Sequence, residues 1–404
     1  DRPAEVEWAA TGGEQQFEHA ARRGGGDPTL LGTLSLLVLG GYNGLVAQQE
    51  SVKTAFSAID TQLTRRADLS ARLAGDEFAV LLHGAPRPAE GGKHPVTHFC
   101  AGGDIRFMHD AALAGDAAVE DFFTEEYSLD HLIHSYPKPT IAWMEGVTMG
   151  GGMGLAQGCE LRVATESLRM AMPETRIGLF PDVGGGYFLS RCVGSVGEYL
   201  GIVGPHLHVT DALTLGLADV HARSDALPVM LAELRAQPAH GGEELMGRCR
   251  AVLDLHGLTQ LPEATVTAHL EAINRHFSLH TLQDIWPSLQ SDGSEWAAQV
   301  RQQMAGHSPL MMGVTLEQIR RGRSMPLADV FRMERTMVRH CFQLRPGAAS
   351  ETVEGVRALV VDKDHQPRWN PATVEAVTPA MIEAFFEAVW PPHAHPLRDL
   401  HDPL

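Results

Sequence analysis

The sequence predicts an α/β fold in which a partly parallel sheet is followed by a mainly helical C-terminal region. Short apolar runs, such as Thr140–Met144 and Leu161–Thr165, alternate with segments of helical periodicity, which is the pattern of strands joined by crossover helices. Beyond about Arg223 helical periodicity dominates as far as Gln343, and the helices that it predicts include Pro262–Arg275 and Thr315–Arg321. The chain is therefore divided into a loose leader at 1–28, an α/β core at 29–223 and a mainly helical region at 224–404.

Few helices and strands are predicted in the N-terminal third of the chain. Residues 1–28 are polar and glycine-rich and show no apolar period. The segments that follow predict a strand at Leu30–Leu39, a helix at Ser51–Arg66, a buried strand at Phe78–Leu82 and a loop over 84–98.

Helices and strands are predicted to alternate in the middle of the chain. A long helix over Ala117–Tyr136 is ended by two prolines, and the strand Thr140–Met144 follows. A turn over Glu145–Gly154 leads into another helix. Two short strands are expected next, at Leu161–Thr165 and Leu168–Ala171.

Charge and cysteine content restrict the class of protein. The 404 residues carry a formal net charge of −18, which argues against nucleic acid or an anionic membrane as a partner. The five cysteines are widely spaced and predict neither a disulfide framework nor a zinc site. The polar start does not read as a signal peptide, and the apolar run Thr29–Gly40 is too short to span a membrane. A cytoplasmic location and no metal are expected.

Two glycine-rich turns stand out as candidates for binding a carbonyl oxygen. They are Ala101-Gly102-Gly103-Asp104 and Met149-Gly150-Gly151-Gly152. Glycine lets the backbone approach a ligand closely, and two N–H groups aimed at one oxygen form an oxyanion hole. An ordinary strand-to-helix turn explains either sequence equally well when it is taken alone.

Two carboxylates follow the second turn at a spacing of eight residues. Glu174 and Asp182 each follow a proline within an apolar stretch. Most acidic side chains are solvated, but apolar neighbours would desolvate these two and raise their pKa, which suits proton transfer. The combination of both turns with both carboxylates predicts acyl chemistry.

These segments resemble the crotonase superfamily of acyl-CoA enzymes, and most closely its 3-hydroxyisobutyryl-CoA hydrolase branch. The resemblance covers about three-quarters of the chain. It rests on FCAGGDIR at 99–106, EEY at 125–127, MGGGMGL at 149–155, MPET at 172–175, GLFPDVGGGYFLSR at 178–191, HSPLMM at 307–312, FRMERTM at 331–337 and EGVRALVVDKD at 354–364.

The resemblance implies a spiral of ββα units and a set of site residues. By this likeness the N–H groups of Gly103 and Gly151 would form the oxyanion hole, and Glu126, Glu174 and Asp182 would contact the substrate. CoA would be part of the substrate rather than a cofactor, and a homo-oligomer is possible. The hydratase branch places a second catalytic Glu where this chain has Gly154, so paired-Glu water addition is disfavoured.

Three functions are therefore considered. The first is hydrolysis of a 3-hydroxyacyl-CoA thioester, with 3-hydroxyisobutyryl-CoA of valine breakdown as the expected substrate, and with Glu174 as nucleophile or base. The second is an enoyl-CoA hydratase or isomerase of the same fold. The third is a non-catalytic acyl-CoA-binding protein. A stretch at 71–82 also resembles the active-site loop of diguanylate cyclases, but it is too short to predict that domain before the core.

Overall fold

Two layers of strands form the centre of the molecule. The computed structural model of the chain describes residues 80–83, 86–87, 96–136, 139–236 and 242–402. The larger sheet is parallel and has the strand order β1-β4-β6-β8. Its strands are β1 (Val80–His83), β4 (Thr140–Met144), β6 (Leu161–Thr165) and β8 (Val220–Ala222). Between β1 and β4 in sequence, β2 (Pro86–Arg87) and β3 (Val96–Thr97) form a short antiparallel pair.

The second layer is smaller and carries the glycine turns. Strands β5 (Val147–Met149) and β7 (Arg169–Ala171) pair in parallel. Single bridges extend this layer on both sides, from Cys100 to Thr148 and from Met170 to Leu207. Since β4 leads into β5 and β6 into β7, and each second strand is followed by a helical turn, the chain builds successive ββα units.

Helices surround these layers. Those of the first half are α1 (Ile105–Ala114), α2 (Ala118–His134), α3 (Gly151–Gln157), α4 (Gly185–Phe188), α5 (Val196–Val203) and α6 (Val209–Thr214). Those of the second half are α7 (Ala226–Ala236), α8 (Gly242–Leu255), α9 (Leu270–Phe277), α10 (Leu282–Ser291), α11 (Glu295–Met304), α12 (Pro309–Gly322), α13 (Leu327–Gln343), α14 (Glu351–Val356) and α15 (Pro379–Glu383).

The main sheet is buried on both faces, as parallel sheets usually are. Strand β4 alternates between two cores: Ile141 and Trp143 pack with α7 and α8, whereas Ala142 and Met144 face the larger core. The larger core runs without a break from these residues to the C-terminal helices, including Met311 and Phe331. The helical region therefore packs directly on the layers that carry the glycine turns.

The structure confirms the α/β fold and most elements of the middle region. Strands Thr140–Met144 and Leu161–Thr165 have the predicted bounds. The loop predicted over 84–98 was wrong in part, because β2 and β3 pair within it. The elements predicted at Leu30–Leu39 and Ser51–Arg66, like the leader and nearly all of the cyclase-like stretch at 71–82, lie outside the described residues.

Two helices of the C-terminal region begin at other places than predicted. The helix predicted from Thr315 begins at Pro309, where the Ser308 side chain accepts the N–H of Met311. The helix predicted from Pro262 begins only at Leu270, after a 3₁₀ turn. Upstream of it the carboxylate of Asp211 accepts backbone N–H groups of three successive residues, Thr265, Val266 and Thr267, and holds them in a loop.

Candidate active site

The two glycine turns lie side by side at the edge of the smaller sheet. The N–H of Met149 donates to the carbonyl oxygen of Cys100 over 3.0 Å, which joins the ends of the two segments. A Cβ atom added to Gly102 would lie 3.4 Å from the nitrogen of Gly151. A Cβ on Gly152 would lie 2.3 Å from the Cys100 oxygen, so only glycine permits this approach.

A helix begins at each turn, and each turn contains a backbone N–H group that has no hydrogen-bond acceptor among the described residues. Asp104 caps α1 by accepting the N–H groups of Arg106 and Phe107, which leaves Gly103 just before the cap. Gly151 is the first residue of α3, and Gly150 before it has a φ of +52°. Among the residues that the structure describes, neither the Gly103 nor the Gly151 N–H has a hydrogen-bond acceptor.

Glu174 reaches these turns from the end of β7. It opens a 3₁₀ turn over Glu174–Ile177 and its side chain is buried. Its Oε1 lies 3.1 Å from the place that a Cβ of Gly150 would occupy, and its Oε2 has no partner within the described part of the chain. Burial, and then repulsion by Asp182, raise the pKa of Glu174 well above the usual range of a glutamate.

Asp182 is held by the phenol of Tyr127. The Tyr127 hydroxyl donates to Asp182 Oδ2 over 2.8 Å inside the core. Burial raises the pKa of Asp182 to about 6, while the hydrogen bond from Tyr127 opposes that rise. Asp182 is thus a buried carboxylate with a fixed orientation and a pKa of about 6.

Helix α2 adds two more carboxylates to this group. Glu126 and Asp130 are both buried, and they lie one helical turn apart. Burial is the main cause that raises the pKa of each, and repulsion from Asp182 is the second. Glu126 is also repelled by Asp130 and Glu174, so these four carboxylates form one electrostatic group.

A fifth carboxylate, Glu334 of α13, supports the loop that carries Asp182. It accepts the N–H groups of Gly184 and Gly186, each over 2.8 Å, and a hydrogen bond from Gln318. Burial raises the pKa of Glu334 to about 8, although these three donors oppose the rise. The C-terminal helices therefore hold the Asp182 loop in place.

Val183 follows Asp182 in this loop and has a strained backbone conformation. Its φ is +54°, which a β-branched residue adopts only where its surroundings enforce it. A Cβ atom on Gly154 would lie 2.5 Å from Val183 Cβ and 2.9 Å from its carbonyl oxygen. Position 154 therefore has no room for any side chain, let alone a glutamate.

We expect Gly154→Ala to destabilise the fold, because the added methyl group must displace Val183. Overpacking of this kind costs about 1–3 kcal/mol, which would lower the melting temperature by several degrees. Val183→Gly placed in the Gly154→Ala background removes the clash with the Val183 side chain and the positive-φ strain, but not the contact with the carbonyl oxygen of residue 183, and should restore part of the loss. Thermal unfolding of the single and double variants tests this, and equal melting temperatures for both would contradict it.

The structure thus brings together every site residue that the sequence analysis singled out. The Gly103 and Gly151 turns, Glu126, Glu174 and Asp182 share one buried region. Tyr127, Asp130 and Glu334 were missed, although each lies within or beside a segment that carried the family resemblance. No group of His, Cys, Asp and Glu suited to a metal ion occurs in the described ranges. No helix among them is long and apolar enough to cross a bilayer.

Comparison with known proteins identifies a family model that matches most of the chain, together with several similar proteins. Residues 88–386 match the family model described as enoyl-CoA hydratase/isomerase. The chain is 40% identical to the mitochondrial 3-hydroxyisobutyryl-CoA hydrolase of Gallus gallus over 72% of its length and 74% of the relative's. It is 37% identical to the Rattus norvegicus protein of the same name over 78% of each chain.

Two solved structures share the fold. One is a carnitinyl-CoA dehydratase from Mycobacterium thermoresistibile, with a TM-score of 0.67 and 31% identity over 82% of this chain and 89% of that one. The other is an enoyl-CoA hydratase from Rhodobacter sphaeroides, with a TM-score of 0.68 and 29% identity over 83% and 90%. Similarity of fold thus extends across hydratases and dehydratases, whereas the similar sequences cited above are hydrolases.

Proposed function

The chain belongs to the enoyl-CoA hydratase/isomerase family, and we propose that it is an acyl-CoA thioester hydrolase acting on 3-hydroxyisobutyryl-CoA. The substrate follows from the relatives that carry this name at 35–40% identity. That reaction releases 3-hydroxyisobutyrate and CoA and belongs to valine breakdown. Hydrolysis consumes only the thioester and water, so we expect no cofactor, and the CoA is part of the substrate.

One observation carries the assignment to hydrolysis. The buried carboxylate of Glu174 lies against the Gly150–Gly151 turn with one oxygen unpartnered among the described residues, next to an open amide. A nucleophile or base beside an oxyanion donor is the arrangement that acyl transfer requires.

The chemistry then follows in two stages. The thioester carbonyl oxygen accepts the N–H groups of Gly103 and Gly151, which stabilise the negative charge that develops on it. Glu174 either attacks the carbonyl carbon to form an anhydride or removes a proton from the attacking water. The C–S bond breaks, the CoA thiolate takes a proton, and water supplies the new carboxylate oxygen. Asp182 orients the 3-hydroxyl group or the water.

Hydration of an enoyl-CoA is the competing function, and Gly154 argues against it. A second acid–base glutamate at this position has no space, since Val183 occupies it. Water addition across a double bond needs one group to deliver water and another to protonate carbon. We expect the chain to lack the second of these groups.

Product analysis distinguishes the candidate functions. The protein is mixed with 3-hydroxyisobutyryl-CoA and, separately, with crotonyl-CoA, and the products are identified by mass spectrometry. Free CoA with 3-hydroxyisobutyrate, and no hydrated crotonyl-CoA, supports the hydrolase. Hydrated crotonyl-CoA without free CoA would show a hydratase, and tight CoA binding with no product would show a non-catalytic binding protein.

We expect the low-pH limb of kcat/KM to lie near or above pH 6, because burial raises the pKa of Asp182 to about 6. Removing the Tyr127 hydroxyl leaves the ionised Asp182 without its donor, which raises that pKa further. Tyr127→Phe, which keeps the ring packed on Phe331, should therefore move the limb to higher pH. A pH–rate profile that is unchanged, or shifted to lower pH, would contradict this role for Tyr127.

A further inference from the structure

A cavity borders the carboxylate group at Asp130 and the loop that carries Val183. Its volume is about 280 Å³, and Asp130, Gly154, Val183 and Tyr187 are among the residues that line it. It is wide enough for several water molecules. His134 also lines the cavity and its side chain is exposed, so the cavity reaches the surface there.

One face of α2 connects this cavity with the active site. Glu126, Asp130 and His134 are spaced four residues apart, so their side chains follow one another along the helix at about 5–6 Å between Cβ atoms. Glu126 at one end interacts electrostatically with Glu174 and Asp182. Asp130 is in the middle and His134 is at the cavity mouth. A row of titratable side chains thus leads from the chemistry to solvent.

Asp130 is the unusual member of this row. It is only 2% exposed, and its Oδ2 atom has no hydrogen-bond partner among the described residues. A buried polar atom without a partner is costly and calls for an explanation such as a water or a catalytic role. Since Asp130 lines the cavity, water there would satisfy it.

We propose that Asp130 and His134 form a proton-exit relay that carries a proton from Glu126 and Asp182 to solvent through water in this cavity. The inference rests on the proposed hydrolysis. Water and a thioester give a carboxylate, a thiol and one proton: the C–S bond breaks, a C–O bond forms, and the sulfur keeps one of the two protons of water. The other proton must leave a buried site at each turnover.

The surroundings of the two relay residues suit this task. Burial, and then repulsion by the charges of Asp182 and Glu334, raise the pKa of Asp130 well above that of a free aspartate. Asp130 therefore binds a proton more readily than a free aspartate does. His134 faces His131, Arg191 and Asp402, and desolvation by the protein atoms around it is the main cause that lowers its pKa. A histidine of lowered pKa passes a proton on to solvent.

The test compares Asp130→Asn and His134→Ala with the wild type in thiol release from 3-hydroxyisobutyryl-CoA. We expect kcat to fall about tenfold or more in each variant, less than for a group in direct contact with the reacting atoms, with KM little changed. The solvent deuterium isotope effect on kcat should rise because proton exit becomes rate-limiting. Imidazole in solution should restore His134→Ala, and Asp130→Glu should retain most of the activity. His280→Gln, at an exposed histidine elsewhere, is the control.

Three other outcomes would contradict the proposed relay. If the wild type releases thiol and both variants match it in kcat and isotope effect, the relay is wrong while the hydrolase stands. If the loss lies in KM alone and imidazole has no effect, the cavity binds part of the substrate instead. If the wild type releases no thiol, the proposed function fails, and the relay with it.

Discussion

Glu174→Gln is expected to abolish thiol release, with kcat reduced at least about 10³-fold. Glutamine has the shape of glutamate but can neither attack the thioester carbonyl nor remove a proton from water. The two open amides at Gly103 and Gly151 remain, so a small residual rate and normal CoA binding should persist. Thiol release followed with a thiol-reactive dye measures this directly.

The same variant should not be less stable than the wild type. The pKa of Glu174 is raised in the folded state from a usual value of 4.5, so the folded protein binds this proton more tightly than the unfolded chain. The wild type therefore loses stability as pH rises from about 4.5 towards the raised pKa, and Glu174→Gln removes that loss. At neutral pH the variant should melt at the wild-type temperature or above it.

Glu145→Gln is a suitable control for this experiment. Glu145 is partly buried and faces Ser224 and Glu166 rather than the carboxylate group. Its substitution should leave thiol release unchanged. If Glu174→Gln turned over at the wild-type rate, Glu174 would be neither nucleophile nor base.

Gly151→Pro is the second substitution with a large expected effect. Proline has no N–H, so one oxyanion donor is lost, and such a loss typically lowers kcat about 10²–10³-fold, or about 3 kcal/mol. The first position of a helix tolerates proline well, because its N–H has no partner within the helix and the fixed φ suits the helix start. The variant should therefore fold with α3 intact.

Gly151→Ala provides the matched comparison, because alanine adds a carbon atom and keeps the N–H. We expect Gly151→Ala to retain far more activity than Gly151→Pro at a similar melting temperature. Equal losses in both variants would mean that the backbone shape at Gly151, and not its N–H group, matters for turnover.

Sequence patterns identified the parts of the site that are local in the chain. Gly103 and Gly151 stand in glycine turns, and Glu174 and Asp182 stand in apolar surroundings that predict burial, which the structure confirms. These features depend on neighbours within a few residues. The positions along the chain of the strands Thr140–Met144 and Leu161–Thr165 were predictable for the same reason.

Features that depend on distant contacts were not predictable. Tyr127 is 55 residues from the Asp182 that it contacts, and Glu334 is 150 residues from Gly184. Val183 reads as an ordinary apolar residue, yet it adopts a φ of +54° because α13 and α3 enclose its loop. The spacing of Glu126, Asp130 and His134 was visible, but its meaning depended on the cavity that Asp130 and Val183 line.

The most direct test of the account compares thiol release from 3-hydroxyisobutyryl-CoA with that from isobutyryl-CoA, which lacks only the 3-hydroxyl group. The second substrate lacks the hydroxyl group that we propose Asp182 orients in addition to accepting the Tyr127 hydroxyl, so kcat/KM should fall by more than about tenfold. Rapid release from the first substrate with this preference would support a 3-hydroxyacyl-CoA hydrolase. Equal rates for both, or no release from either, would contradict it.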